Sequence, residues 1–337
     1  MYRPVLLMLI FSLTIKSCLP PCENQPVGFL PSIPVNMLEL NSEYDDYNTS
    51  AIVQGSFMPL CFSSKRNTGG ADFEIVYEPM IIKADETTGE ITVLNDYSEW
   101  PEYQQEFGVL RNALDKINTD GNELGPYYML NPTPNKYFYE FLFMYASNET
   151  DNYQIGFTYN TTDYYFYDGQ EIGFLNSSYD DLYPCFNSDF SLMYFCSNRD
   201  NDVFNIYSVQ LEKYIDQIID EFINTESLVI SMEETLSGAY NDMCPYLYGN
   251  MMIFASDRPG GEGGYDLYYS FYQDEEWSEA ANFGSRINSP YDEYRPIIIN
   301  EGIDMNWDML IFSSDRPGGK GGFDLYFVGI DTQTGML

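Results

Sequence analysis

Internal repetition constrains this chain more than any other feature. Phe254–Tyr269 reads FASDRPGGEGGYDLYY and Phe312–Phe327 reads FSSDRPGGKGGFDLYF. Fainter copies are FCSNRDNDVFNIY (Phe195–Tyr207), FSSKRNTGGADFEIVY (Phe62–Tyr77) and FMYASNETDNYQIGF (Phe143–Phe157). Ahead of these tails stand anchors: LNSEYDDY (Leu40–Tyr47), INTDGNELGP (Ile117–Pro126), LNSSYDDLYP (Leu175–Pro184), LSGAYNDMCP (Leu236–Pro245) and INSPYDEYRP (Ile287–Pro296). Anchor and tail alternate five times without exception. Chance likeness produces single copies, not strict alternation, so the chain is an array of similar modules.

Each module reads as a small antiparallel sheet. After an anchor come short β-rich runs such as Pro296–Asn300 (PIIIN), Met309–Ser313 (MLIFS) and Phe323–Val328 (FDLYFV). A fourth run lies in the linker, as in Glu276–Phe283 (EWSEAANF), with a related signature at Glu99–Glu102. Four strands per module predict an all-β fold, a β-propeller of five blades with six as the alternative count. The repeats run over about 41–100, 118–167, 176–230, 237–283 and 288–337 within one domain, 27–337. Val27–Glu39 precedes the first anchor and is short of a partner, so it is expected to enter the last blade as its closing strand and remove an open edge. Glu102–Ile117 is expected to hold a short helix. Leu211, Ile215, Ile218, Ile219 and Phe222 make one helical stripe, as for a helix packed on a blade edge.

The motif residues carry a structural expectation. Gly260, Gly261, Gly263 and Gly264, with Gly318, Gly319, Gly321 and Gly322, would supply positive φ for a compact turn. Asp257-Arg258 and Asp315-Arg316 would close those turns by charge-assisted hydrogen bonds. Asp266 and Asp324 would accept exposed backbone N–H groups at a strand start. A Ca²⁺ loop is disfavoured, because an arginine sits inside each turn and no EF-hand spacing occurs; no metal and no cofactor is expected. The acids of Tyr44-Asp45-Asp46, Tyr179-Asp180-Asp181 and Tyr291-Asp292-Glu293 are expected to cap strand ends, a cation-binding carboxylate ring being the alternative. Cys185 and Cys196 flank a turn and are either bridged or buried free thiols.

The tails, with the linker EWSEAANFG, resemble the WD-like β-propeller repeat of the TolB type found in bacterial envelope proteins. That resemblance implies an extracytoplasmic propeller used for protein or envelope contacts. Met1–Ser17 carries Arg3, an apolar run Val5–Leu13 and then Ile15-Lys16-Ser17 before Cys18. It resembles a bacterial lipoprotein signal, which implies lipidation at Cys18, a tether over 18–26 and a body held in the cell envelope, on the periplasmic side of the outer membrane or at the cell surface. A plain secretory signal with Cys18 unmodified is the other reading.

Charge and composition narrow the function. The chain has 52 acidic and 15 basic residues, a net charge of −37, which excludes nucleic acid as a partner. It has no histidine, which removes Ser-His-Asp and HExxH chemistry. The resulting expectation is a lipid-anchored module that binds an envelope protein, peptide or glycan without catalysis, its ligand-binding residues undetermined. Specificity is placed in unit two and the divergent stretch Tyr145–Tyr167. The alternatives are a propeller lectin and a glycosidase using funnel carboxylates. The second is disfavoured because no Asp or Glu stands apart from the repeat.

Overall fold

A blade inside a ring is covered on both faces, so its middle strand must be apolar on both. Met309 and Ile311 accordingly pack to one side and Leu310 and Phe312 to the other. This is why the second strand of each blade reads as a largely apolar run. The computed structural model describes residues 28–51, 59–95, 104–132, 139–162, 165–299 and 304–335. The signal-like segment, Cys18, Cys22, the tether and the Glu99–Glu102 linker lie outside the described residues.

In chain order, β1 (Val35–Asn36) comes first. Blade one is β2 (Asp46–Ala51), β3 (Pro59–Ser64) and β4 (Glu74–Pro79), followed by a hairpin of β5 (Ile81–Ala84) and β6 (Ile91–Leu94) and the helix α1 (Gln104–Leu114). Blade two is β7 (Glu123–Pro132), β8 (Tyr139–Ser147) and β9 (Gln154–Thr162), edged by β10 (Tyr165–Phe166) and β11 (Gln170–Glu171). Blade three is β12 (Asp181–Phe186), β13 (Leu192–Ser197) and β14 (Asn205–Gln210), then α2 (Ile215–Asn224) and β15 (Ile230–Met232). Blade four is β16 (Asp242–Tyr248), β17 (Met251–Ser256) and β18 (Asp266–Gln273), with β19 (Glu276–Trp277) and β20 (Ala281–Asn282). Blade five is β21 (Glu293–Ile299), β22 (Asp308–Ser314) and β23 (Asp324–Ile330).

The five-bladed propeller is therefore the fold, and the six-bladed alternative falls. β1 pairs antiparallel with β23, Val35 opposite Phe327 and Asn36 opposite Tyr326, so the N-terminal segment closes the last blade as its order in the sequence required. Two details differ from expectation. The fourth strand of blade four is broken into β19 and β20, and blade one has three paired strands with its next two in a separate sheet. α1 falls within its expected bounds, whereas α2 starts at Ile215, so Leu211 of the expected stripe precedes the helix. Leu211, Ile215, Ile218 and Phe222 are buried and Ile219 packs beside them.

Two side-chain devices weld neighbouring blades. The anchor residues Asn41, Asn118, Asn176 and Asn288 each accept from the backbone N–H and donate to the carbonyl of one residue in the preceding blade, respectively Leu325, Ile75, Ile155 and Leu267. Ser237 does the same to Ile206 through its hydroxyl. Asp45, Asp180 and Asp292 accept the N–H of Phe323, Tyr153 and Tyr265, while Asn122 and Asn241 accept from Phe73 and Phe204. These acids cap strand starts rather than form a cation-binding ring. The repeated anchor thus ties each blade to the one before it.

At the axis, every inner strand has a bulge at its third residue. Asn48, Gly125, Tyr183, Cys244 and Arg295 have φ of 59°, 60°, 58°, 55° and 45°, and the ladder register slips at each. Only glycine adopts this backbone without cost. Gly125 is required for a second reason as well, since a Cβ there would lie 2.5 Å from the Tyr183 ring. Tyr47, Tyr183 and Tyr294, with Phe73, Tyr153 and Phe204, fill the centre together with Cys196 and Cys244.

Candidate functional site

Each inner strand opens with a carboxylate: Asp46, Glu123, Asp181, Asp242 and Glu293, all fully buried. Burying an ionised carboxyl is costly unless a cation and hydrogen-bond donors compensate. In four blades the tail arginine does so. The Nη2 atoms of Arg66, Arg199, Arg258 and Arg316 lie 2.8, 2.5, 2.5 and 2.7 Å from Asp46, Asp181, Asp242 and Glu293. Each guanidinium also donates from Nε to the tail serine, Ser64, Ser197, Ser256 or Ser314. Each further donates to an anchor carbonyl, that of Leu40, Leu175, Leu236 or Ile287. Arg199, Arg258 and Arg316 each lie over a pair of adjoining cross-strand rings, Phe195 and Tyr207, Phe254 and Tyr268, Phe312 and Tyr326, at 5.0–5.2 Å from each ring.

Blade two breaks the rule. Pairing of β7 with β8 sets Ser147 opposite Glu123, as Ser314 is set opposite Glu293. The residue two beyond the serine, arginine in the other four blades, is then Glu149. Tyr145 takes the place of the ring-bearing Phe, and opposite it stands Gly156 where blades three to five carry tyrosine. Exchanging the bulky partner for glycine leaves a cavity of about 100 Å³ lined by Thr119, Tyr145, Ser147, Glu149, Gly156 and Glu171. Thr119 and Ser147 hydroxyls donate to Glu123 Oε1 at 2.6 and 2.9 Å, and Oε2 has no partner. Burial pushes the Glu123 carboxyl up to about 7, against the pull of those two hydroxyls. The Tyr145 hydroxyl is pushed up as well, by burial first and then by the charges of Glu123, Glu149 and Glu171. The charges of three carboxyl groups therefore bear on one phenol.

The sequence-predicted site residues fall elsewhere and serve the fold. Gly260 and Gly318 have φ of 96° and 101°, but Gly261, Gly263, Gly264, Gly319, Gly321 and Gly322 do not have positive φ; the expectation is corrected for these six. They are glycine because a Cβ would strike Asp266, Tyr291, Asp292, Asp324, Tyr44 or Asp45. Asp257 and Asp315 accept from the anchor residues Asn241 and Asp292 instead of closing the turn with Arg258 or Arg316. Asp266 and Asp324 accept two backbone N–H groups each, from Glu262 and Gly263 and from Lys320 and Gly321. Cys61, Cys185, Cys196 and Cys244 are free and buried, so the bridge considered for Cys185 and Cys196 is not made. None of the five axial bulge residues is an acid, and among the described residues no cluster of Cys, Asp and Glu is arranged to hold a metal.

No family model and no curated protein sequence matches this chain. Its fold matches solved structures. The α-L-arabinofuranosidase PaAbf62A from Podospora anserina, in complex with cellotriose, superposes with a TM-score of 0.50 at 12% identity, over 89% of this chain and 98% of that one. An endo-arabinase from Bacteroides thetaiotaomicron superposes at 0.50 and 10% identity, over 90% and 99%. The exo-β-1,3-galactanase 1,3Gal43A from Clostridium thermocellum gives 0.51 at 10%, over 91% of this chain and 64% of that one. At such identities the likeness is one of fold. It corrects the expectation of a TolB-type module that binds envelope proteins, peptides or glycans without catalysis, since these neighbours are glycoside hydrolases. The premise of that expectation fails too: Glu123 is an acid that stands apart from the repeat.

Proposed function

We propose that this chain is a glycoside hydrolase whose proton donor is Glu123, with Glu149 or Glu171 supplying the second carboxylate. Glycoside cleavage needs one carboxylic acid that keeps its proton near neutral pH and one carboxylate across the scissile bond. The observation that carries the reading is that Glu123, alone among five equivalent buried acids, has no arginine and is held by burial at about 7. A cavity of about 100 Å³ is well under the size of a whole-ligand pocket. It suits the edge of a single sugar, with Glu149 and Glu171 on its wall and Glu123 behind the Thr119 and Ser147 hydroxyls that line it. The names of the fold neighbours make arabinans and galactans the first substrates to try.

The test is release of sugar from arabinan, galactan and aryl glycosides by purified protein. Turnover is expected to fall as pH rises through 7, and Glu123→Gln to lose roughly 10²–10⁴-fold. Turnover unchanged in Glu123→Gln, or no cleavage of any glycoside, sinks the reading. Export and lipid anchoring at Cys18 form part of the proposal, on the strength of the signal-like Met1–Ser17. Expressed in a bacterial host, the chain should take up labelled palmitate and Cys18→Ala should not.

A further inference from the structure

Arg295 is the one charged residue among the five axial bulges. It is the third residue of β21, at the axial bulge, and is 0% exposed. Its Nη2 donates to the Pro126 carbonyl of blade two at 3.2 Å and to the Pro184 carbonyl of blade three at 3.5 Å, and its guanidinium lies 5.4 Å from the Tyr183 ring. Nε and Nη1 have no acceptor. Arg66, Arg199, Arg258 and Arg316 each meet a carboxylate, yet among the described residues none lies within 4 Å of Arg295.

A guanidinium does not give up its proton in a protein. The ionisable groups around it do not supply the opposite charge. Burial pushes the Cys185 and Cys244 thiols and the Tyr246 phenol up to about 12, and raises Cys196 and Tyr127 as well. All five are neutral at physiological pH. An unpaired buried cation with two idle N–H groups is among the most costly arrangements a core can hold.

We infer that the propeller axis binds a small inorganic monoanion, of the halide class, against the unpaired N–H groups of Arg295. The surroundings select for size: Arg295 is fully buried, and the Tyr183 ring, the Cys185 and Cys244 thiols and the Tyr127 and Tyr246 phenols face its guanidinium, a lining suited to a single small ion. The bound ion would tie blade five to blades two and three through one guanidinium, a link independent of the glycosidase reading.

Crystals of the full chain grown in bromide test this directly. An anomalous peak is expected on the axis, about 3.3 Å from Nε or Nη1 of Arg295. Bromide only at surface sites, or axial density explained by water alone, overturns the inference. In solution, replacing gluconate by chloride at constant ionic strength should raise the melting temperature by roughly 3 °C at tenfold the dissociation constant. Arg295→Met should melt independently of chloride, and an equal chloride response in that variant also overturns it. Should the variant not fold, the bromide result decides alone.

Discussion

Blades five and two open their inner strands with the same side chain, buried to the same degree, and put it to different chemical use. Glu293 meets Arg316 at 2.7 Å, together with the hydroxyls of Ser289 and Ser314. Glu123 meets the hydroxyls of Thr119 and Ser147 and no cation. Burial raises both carboxyls, and in blade five the arginine works against that rise. The lesson is that a repeat motif fixes an acid as structural only while its cation is present. Exchanging the arginine for Glu149 keeps the strand, the serine and the hydrogen-bonded turn. It turns the acid into a group that titrates near neutrality.

The largest effect should come from imposing blade two's condition on blade five. Arg316→Met would leave Glu293 buried without its cation and strip the guanidinium from over Phe312 and Tyr326. Removing one partner of such a pair costs about 3–5 kcal/mol. Urea denaturation measures it. A loss of the size seen at exposed surface sites would mean that the hydroxyls, not the arginine, hold the acid.

The second prediction concerns pH. The folded-state value of Glu123, about 7, lies above the ordinary 4.5. The native state therefore retains a proton that the unfolded chain has released. The stabilising effect of that proton is fully present below 4.5 and is lost as pH rises through 7. The difference corresponds to roughly 3 kcal/mol. Asp242, Asp292 and Glu293 are raised as well and contribute in the same direction. Glu123→Gln, which carries no titrating proton, should therefore flatten the melting-temperature profile between pH 5 and 7.5 only in part. A profile identical to the unchanged chain would show that Glu123 does not titrate in this window.

The fold was legible because its devices repeat. Asn41 and its equivalents grip the preceding blade, Asp266 and Asp324 cap the turn, and the segment around Val35 closes the ring. All of these recur or stand out by position in the sequence. Glu123 was not legible for a reason of register. Phe141, Phe143 and Tyr145 occupy alternate positions on one strand, so a shift of two leaves the aromatic pattern on the same face. Matching the second tail at Phe143 sets Glu149 out of line with the arginines, and only the pairing of Ser147 with Glu123 corrects it. The glycines hid a similar ambiguity, since a glycine required for positive φ and one required for close approach are spelled alike. Nothing in the linear pattern marked the axial bulges, because Asn, Gly, Tyr, Cys and Arg share no chemistry and only their common φ reveals the position.

The smallest effect, and the sharpest, comes from running the comparison backwards. Glu149→Arg restores the consensus residue in blade two, opposite a carboxylate that already has its serine. The new guanidinium would reach Glu123 along the route Arg316 takes to Glu293, past Ser147 and toward the Ile117 carbonyl. It would lie over the Tyr145 ring alone, because Gly156 opposite it carries no side chain. A charge-assisted hydrogen bond contributes about 1.5–3 kcal/mol. One ring in place of two puts the expected gain at the lower end. The gain should appear above pH 7, where the unchanged chain holds Glu123 ionised without a cation, and shrink as pH falls below 7, where the unchanged chain protonates Glu123 and no longer buries a bare carboxylate. The same substitution should abolish glycoside cleavage at every pH, because the arginine would hold Glu123 ionised and fill the cavity. A variant more stable above pH 7 and still active would separate the two roles, leaving Glu123 as a titrating structural acid and moving the catalytic proton elsewhere.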